Sequence, residues 1–212
     1  MGNMGRFGKY GEYKRLGRLG RKAGTGSAEK AIDSRERRNT GFPKRLPMSQ
    51  TRLLPGRERD APFIGQLSRK VFGIYGPYGR LVSQWFATGA TVTLVAFVER
   101  VPAGFSMMGG AFQVDDTVHA VELLALAVEP EYQRGGVGTL LMQAVERVSL
   151  QCGMEKIFLH TATENTPAQR LFEGNGFHVH RVIKDFYPEG QDAFHMGRAL
   201  GVPKERPEEP VF

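Results

Sequence analysis

The sequence predicts a mixed α/β sheet with helices on both faces, in a single domain. Three observations carry this. The 212 residues are 41% apolar and 24% charged, a globular composition whose length suits one ordinary domain and a tail. From Gln50 onward, apolar residues recur alternately at strand-like and helix-like spacings. One segment, His119–Val128, is almost continuously apolar, which suits a strand covered on both faces.

The elements follow in order. Thr51–Leu54 is a short strand that ends at Pro55-Gly56. Asp60 before Ala61-Pro62 marks a helix start, a carboxylate cap with proline in the first turn. Phe63, Leu67 and Val71 are its apolar face, and Gly73 ends it. Tyr75–Gly79 reads as a turn and Leu81–Phe86 as a second short helix. Thr91–Val98 is β-branched, and a tight connection leads into a paired strand, Ala103–Phe112. After His119–Val128, Leu140, Leu141, Ala144, Val145 and Val148 set the face of a helix over 138–151, which Gly153 stops. Lys156–Thr161 is a strand, and Thr166–Glu173 is a helix with Pro167 near its start. Phe177–Phe186 and Ala193–Leu200 are strands around a loop with Pro188 and Gly190. The order is β-α-α-β-β-β-α-β-α-β-β.

The domain is expected over 48–200, between two tails. Residues 1–48 hold 13 Lys and Arg against 4 Asp and Glu, whereas the remainder holds 16 against 18. The net charge of +7 therefore belongs to the leading segment. Residues 1–47 are glycine-rich and poor in large apolar groups, so a disordered tail is expected. A second reading is a weak nucleic-acid contact, with Phe7, Tyr10 and Tyr13 as stacking groups among the cations. Residues 201–212, with three prolines, read as a short tail.

Other classes are disfavoured. A single cysteine, Cys152, allows neither an internal disulfide nor a cysteine-rich zinc module. No run of 18 apolar residues suggests a membrane span, and no apolar stretch follows the basic N-terminus as in a secretory signal. A cytoplasmic protein, monomer or homodimer, without metal is expected. His119, His178, His180 and His195 lack metal-like spacing and receive no role.

The most informative stretch is the turn Gln133-Arg134-Gly135-Gly136-Val137-Gly138-Thr139, between a buried strand and an amphipathic helix. Glycines let the backbone approach a ligand closely. Amides in the first turn of a helix lack internal partners and favour negative charge. The turn therefore reads as a phosphate cradle, with Gln133 and Arg134 available for added polar contacts. It is not a dinucleotide fingerprint, because the third glycine position is Leu141, and not a triphosphate loop, because no lysine follows Gly138.

This turn resembles the Q/R-x-x-G-x-G/A signature of the GNAT superfamily of acetyl-CoA-dependent N-acetyltransferases. Downstream, Asn165–Phe177 resembles the family's N-x-x-A-x-x-L-Y-x-x-x-G-F segment. Asp185-Phe186-Tyr187-Pro188 with Asp192-Ala193 is similar to the ending of ribosomal-protein-alanine N-acetyltransferases. The resemblance implies a splayed, V-shaped sheet. Acetyl-CoA would lie between the strands that end at Val128 and near Thr161. Its pantetheine would pair with the backbone of Leu126, Ala127 and Val128, and its pyrophosphate would rest on the amides of Arg134–Thr139. Asn165 would hydrogen-bond the pantetheine arm, and Phe172 would stand near the sulfur.

Acetyl transfer requires that the acceptor amine lose a proton, that the reactants be aligned and that the oxyanion be stabilised, a task expected of an amide near Val128. Glu122 is the first base candidate, a carboxylate within an apolar run, where burial favours proton exchange near neutrality. Its position also resembles that of the glutamate base of histone-type members. His160, at a strand end, is the second. Each could instead be a solvated or hydrogen-bonded structural residue. Phe172 departs from the family, whose tyrosine there is thought to protonate the leaving thiolate, and Tyr187 is the candidate replacement. By resemblance Tyr75, Tyr78 and Tyr187 would bind the acceptor, the alternative being ordinary turn tyrosines. The acceptor is expected to be a peptide or protein N-terminus. The alternatives are a small-molecule amine or, in another class, a non-catalytic acyl-CoA-binding module with a nucleic-acid-binding tail.

Overall fold

The computed structural model describes residues 51–113 and 119–201, with side chains left undescribed at 111–113. The expected tails, 1–47 and 201–212, lie outside the described residues, apart from Gly201. The elements are β1 (Thr51–Pro55), α1 (Ala61–Phe72), α2 (Tyr78–Ala87), β2 (Val92–Val98), β3 (Val101–Gln113) and β4 (His119–Val128), then α3 (Val137–Gln151), β5 (Lys156–Ala162), α4 (Thr166–Gly174), β6 (His178–Ile183) and β7 (Ala193–Ala199). This is the order read from the sequence. The strands form one sheet, ordered β1-β2-β3-β4-β5-β7-β6. Only β4 and β5 are parallel; the other neighbours are antiparallel.

The helices bury their apolar stripes on opposite faces. Ile64 and Leu67 of α1 and Val82 of α2, all fully buried, pack on Val95, Phe105, Met107, Ala125 and Ala127. On the other face, Leu141, Met142 and Val145 of α3 and Phe172 of α4 cover Leu94, Ala96, Leu123, Ile157 and Leu159. Each large side chain removed from water in this way contributes about 1.5–3 kcal/mol.

Strand β4 changes faces partway along. Leu123 packs with α3 and α4, yet Ala125 packs with α1 and α2. In a regular strand residues two apart share a face. The register supplies the reason: Met107 lies opposite Ala125 and Met108 opposite Leu123, so Leu124 is an extra residue, a β-bulge. At the same point β4 leaves β5. The two pair only from Ala120 to Leu123, while β5 runs on to Ala162 against β7. Beyond Leu123 the sheet opens into the expected V.

Four local readings are corrected. Asp60 does not cap α1 with its side chain; its carboxylate instead accepts from the Arg57 amide at 2.8 Å, closing the preceding turn. Helix α2 begins at Tyr78, so Tyr78 and Gly79 are helical rather than part of a turn. A Cβ at position 79 would lie 2.9 Å from the Arg69 Cα, so glycine is there for close contact with α1. Strand β3 begins at Val101, directly after Glu99 and Arg100, which both adopt positive φ. Strand β6 ends at Ile183, which leaves Phe186 and Tyr187 in the β6–β7 loop.

Candidate active site

The opening between β4 and β5 is a cleft. Leu124–Leu126 form one wall, and Leu159–Ala162 with Asn165, Ala168 and Phe172 form the other. Phe72, Tyr75 and Tyr78 of the α1–α2 region and Tyr187 close one end.

One edge of the cleft is backbone. The Glu129 amide donates to the Ala103 carbonyl on β3 at 2.8 Å. Strand alternation then turns the polar groups of Ala127 toward β3 and those of Leu126 and Val128 toward the cleft. The Gln133 side chain donates to the Val128 carbonyl at 2.9 Å, so it ties the end of β4 to the glycine turn. Arg134 and Gly136 adopt positive φ, 58° and 91°. Only glycine does this without strain, and Gly136 is the residue that turns the chain into α3. Helix α3 has no side-chain cap, and its first internal bond is Leu140 N–H to the Gly136 carbonyl at 3.0 Å. The amides of Val137, Gly138 and Thr139 thus precede the helical ladder. A Cβ on Gly138 would come within 3.1 Å of Leu171, so that glycine also lets α3 approach α4.

Asn165 caps α4: its side-chain oxygen accepts from the Ala168 amide at 3.2 Å. Beside it, burial pushes the Tyr75 hydroxyl upward, and Asn165 opposes that shift. Phe172 is buried, tilted against Phe177 with ring centroids 6.1 Å apart.

The two base candidates meet. His160 Nδ1 stands 2.9 Å from Glu122 Oε1, with their side chains 10% and 12% exposed. His160 lines the cleft. An ionised Glu122 accepts only from a protonated Nδ1, which makes Nε2 the basic nitrogen of the ring.

The three tyrosines also converge. Tyr187 stacks on Tyr75 at 4.6 Å and meets Tyr78 edge-on at 5.8 Å. Tyr75 and Tyr187 are buried, unlike ordinary turn tyrosines. Burial, with Tyr78, Tyr75 and Glu164 nearby, pushes the Tyr187 hydroxyl upward, which makes it a weaker acid than an ordinary tyrosine. The loop is pinned from both sides. Gln191 donates to the Ile74 carbonyl at 2.9 Å, and Asp192 accepts from the Asp185 amide at 3.0 Å and from Lys184 at 2.6 Å.

Two residues that sequence reasoning missed touch the His160 ring. Phe186 stacks on it at 4.5 Å and His195 at 4.9 Å. His195 is the β7 residue opposite His160, a relation that only the strand register reveals. Among the described residues, no group of three or more His, Cys, Asp or Glu could hold a metal ion, and no helix is long and apolar enough to cross a membrane.

Comparison with known proteins agrees with this architecture. Residues 65–177 match the acetyltransferase (GNAT) family. The chain is 32% identical over 102 residues to an N-alpha-acetyltransferase of Saccharolobus solfataricus, a match covering 48% of this chain and 59% of that protein. The chain thus spans somewhat more than half the length of that relative. The structure of Arabidopsis thaliana NAA60 with a bisubstrate analogue aligns with a TM-score of 0.63 at 19% identity, over 72% of this chain and 99% of that one. The ribosomal-protein-S18-alanine N-acetyltransferase of Escherichia coli aligns at 0.58 and 19%, over 76% and 99%. The chain belongs to the GNAT acetyltransferase family.

Proposed function

We propose that this GNAT-family protein transfers an acetyl group from acetyl-CoA to the free α-amino group of a peptide or protein, both substrates meeting in the cleft between β4 and β5. The observation that carries the reading is the Glu122–His160 pair at the cleft wall, 2.9 Å apart. Acetyl-CoA supplies an activated acyl group, so the chain need only bind, align and move protons.

The amides of Val137–Thr139 and of the preceding turn suit the pyrophosphate, and the cleft-facing backbone of Leu126 and Val128 suits the pantetheine. Ala127 belongs to this segment but spends its polar groups on β3. Gln133 serves by fixing the turn to β4, and Asn165 by capping α4 at the cleft wall. His160 takes the amine proton at Nε2, while Glu122 orients the ring and balances the imidazolium. Tyr187, whose hydroxyl burial makes a weak acid, donates a hydrogen bond to the leaving thiolate in place of Phe172, which has no proton to give; the proton that His160 takes from the amine is the one the released thiol finally carries. Tyr75 and Tyr78 shape the acceptor end.

A peptide N-terminus is favoured over a small amine by the aromatic, loop-pinned acceptor end and by the N-alpha-acetyltransferase relative. The test is thiol release from acetyl-CoA with peptides of free and of blocked N-termini, and with a polyamine. Turnover is expected only with free N-termini. Equal turnover with blocked peptides, or turnover with the polyamine alone, contradicts the assignment.

A further inference from the structure

The face of β5, β6 and β7 opposite α3 and α4 carries an aromatic layer that the proposed reaction does not yet use. Phe158 and His195 stack at 5.2 Å and 14°. His195 and His160 stack at 4.9 Å and 29°, and His160 and Phe186 at 4.5 Å and 14°. His180 leans on the same layer, 5.7 Å from His195. Gly197, opposite Phe158, makes room for it: a Cβ there would collide with both His180 and Phe158. His195 Nδ1 is buried and has no hydrogen-bond partner. An orphaned ring nitrogen costs stability, so hydrogen bonding at Nδ1 is not what the ring contributes. What it presents to His160 is a flat π face.

We propose that His195 and Phe186 are positioning residues that clamp His160 between two aromatic planes and stabilise the imidazolium formed when it accepts a proton. This rests on His160 being the proton acceptor. The edge of the ring is fixed by Glu122 and its two faces by Phe186 and His195, so rotation out of line with the cleft is blocked. A cation between two π faces is attracted to both. His195 suits the task because it stays uncharged beside the new cation. Burial, with His160, Arg181 and His180 close by, pushes it down to about 4, and Glu122 acts the other way. At the acceptor end, Glu164 and the tyrosines act on Tyr75 and Tyr187.

The test uses the full chain with His195→Leu, His195→Phe and Phe186→Leu, each checked for folding by circular dichroism. Histidine-labelled protein is followed by imidazole nitrogen NMR, which reads the tautomer and titration midpoint of His160 without any acceptor. The wild type is expected to hold the proton on Nδ1. In His195→Leu and Phe186→Leu the midpoint is expected to fall by roughly half a unit or more. His195→Phe keeps the π face, so its midpoint is expected to match the wild type, and the orphaned nitrogen disappears. With a peptide acceptor, the two leucine variants are expected to lose about tenfold in kcat, with the KM for acetyl-CoA unchanged. Unmoved or raised midpoints in both leucine variants overturn the clamp. Clamp-dependent midpoints together with full turnover by His160→Gln would instead leave the clamp standing and remove the base assignment.

Discussion

The two ends of the cleft are made differently. The end toward α3 is backbone: a strand edge released by the bulge at Leu124, then a turn in which Gly136 at φ 91° leads into an uncapped helix. The other end is side chain: Tyr75, Tyr78, Phe186 and Tyr187 brought together from α1–α2 and the β6–β7 loop. A backbone site recognises what every molecule of a co-substrate shares. A side-chain site can be retuned residue by residue, which suits an acceptor that differs between proteins. His160 stands where the two meet.

The largest effect should come from that junction. His160→Gln is expected to lower kcat by about a hundredfold or more while leaving acetyl-CoA affinity within about twofold. An unchanged rate would place the base elsewhere. Glu122→Gln, which keeps a hydrogen-bond acceptor but removes the charge, is expected to cost less.

The next test breaks the backbone end alone. Gly136→Val forces a β-branched residue into left-handed geometry, at about 1–2 kcal/mol or more. Acetyl-CoA affinity is expected to drop about tenfold or more by calorimetry, with peptide preference unaltered. The reciprocal test is Tyr187→Phe. It is expected to lower kcat by about tenfold and leave acetyl-CoA affinity alone; a change in affinity would show that the ends are not separable.

The last effect is on stability rather than on rate or affinity. His195 is pushed down to about 4 in the folded chain, below its unfolded value near 6.5. Between these values the unfolded chain binds the extra proton. Stability from this group is therefore full above pH 6.5 and lost as pH falls toward 4. The melting temperature of the wild type is expected to fall more over this range than that of His195→Phe. Parallel curves would show that the group does not contribute.

What was legible in the sequence follows the same division. The glycine turn, the Asn165–Phe177 segment and the element order are local patterns, and all could be read along the chain. Glu122 and His160 were legible singly, because a carboxylate or imidazole in an apolar strand invites the question. Their contact depends on β4–β5 register, which no local pattern sets. Read along the chain, Phe186 ends a strand and His195 carries no role, because stacking on His160 exists only once β7 lies beside β5 and the loop folds back. Gly79 misled for a related reason. It looked like a turn glycine, but it is needed where two helices touch.

Titration of acetyl-CoA into the purified full chain by calorimetry tests most directly whether the released edge of β4 and the start of α3 form a coenzyme site. One saturable site per chain is expected in the wild type and in His160→Gln, and a weakened one in Gly136→Val. No heat from the folded wild-type chain at millimolar ligand, or equal binding by Gly136→Val, would contradict it.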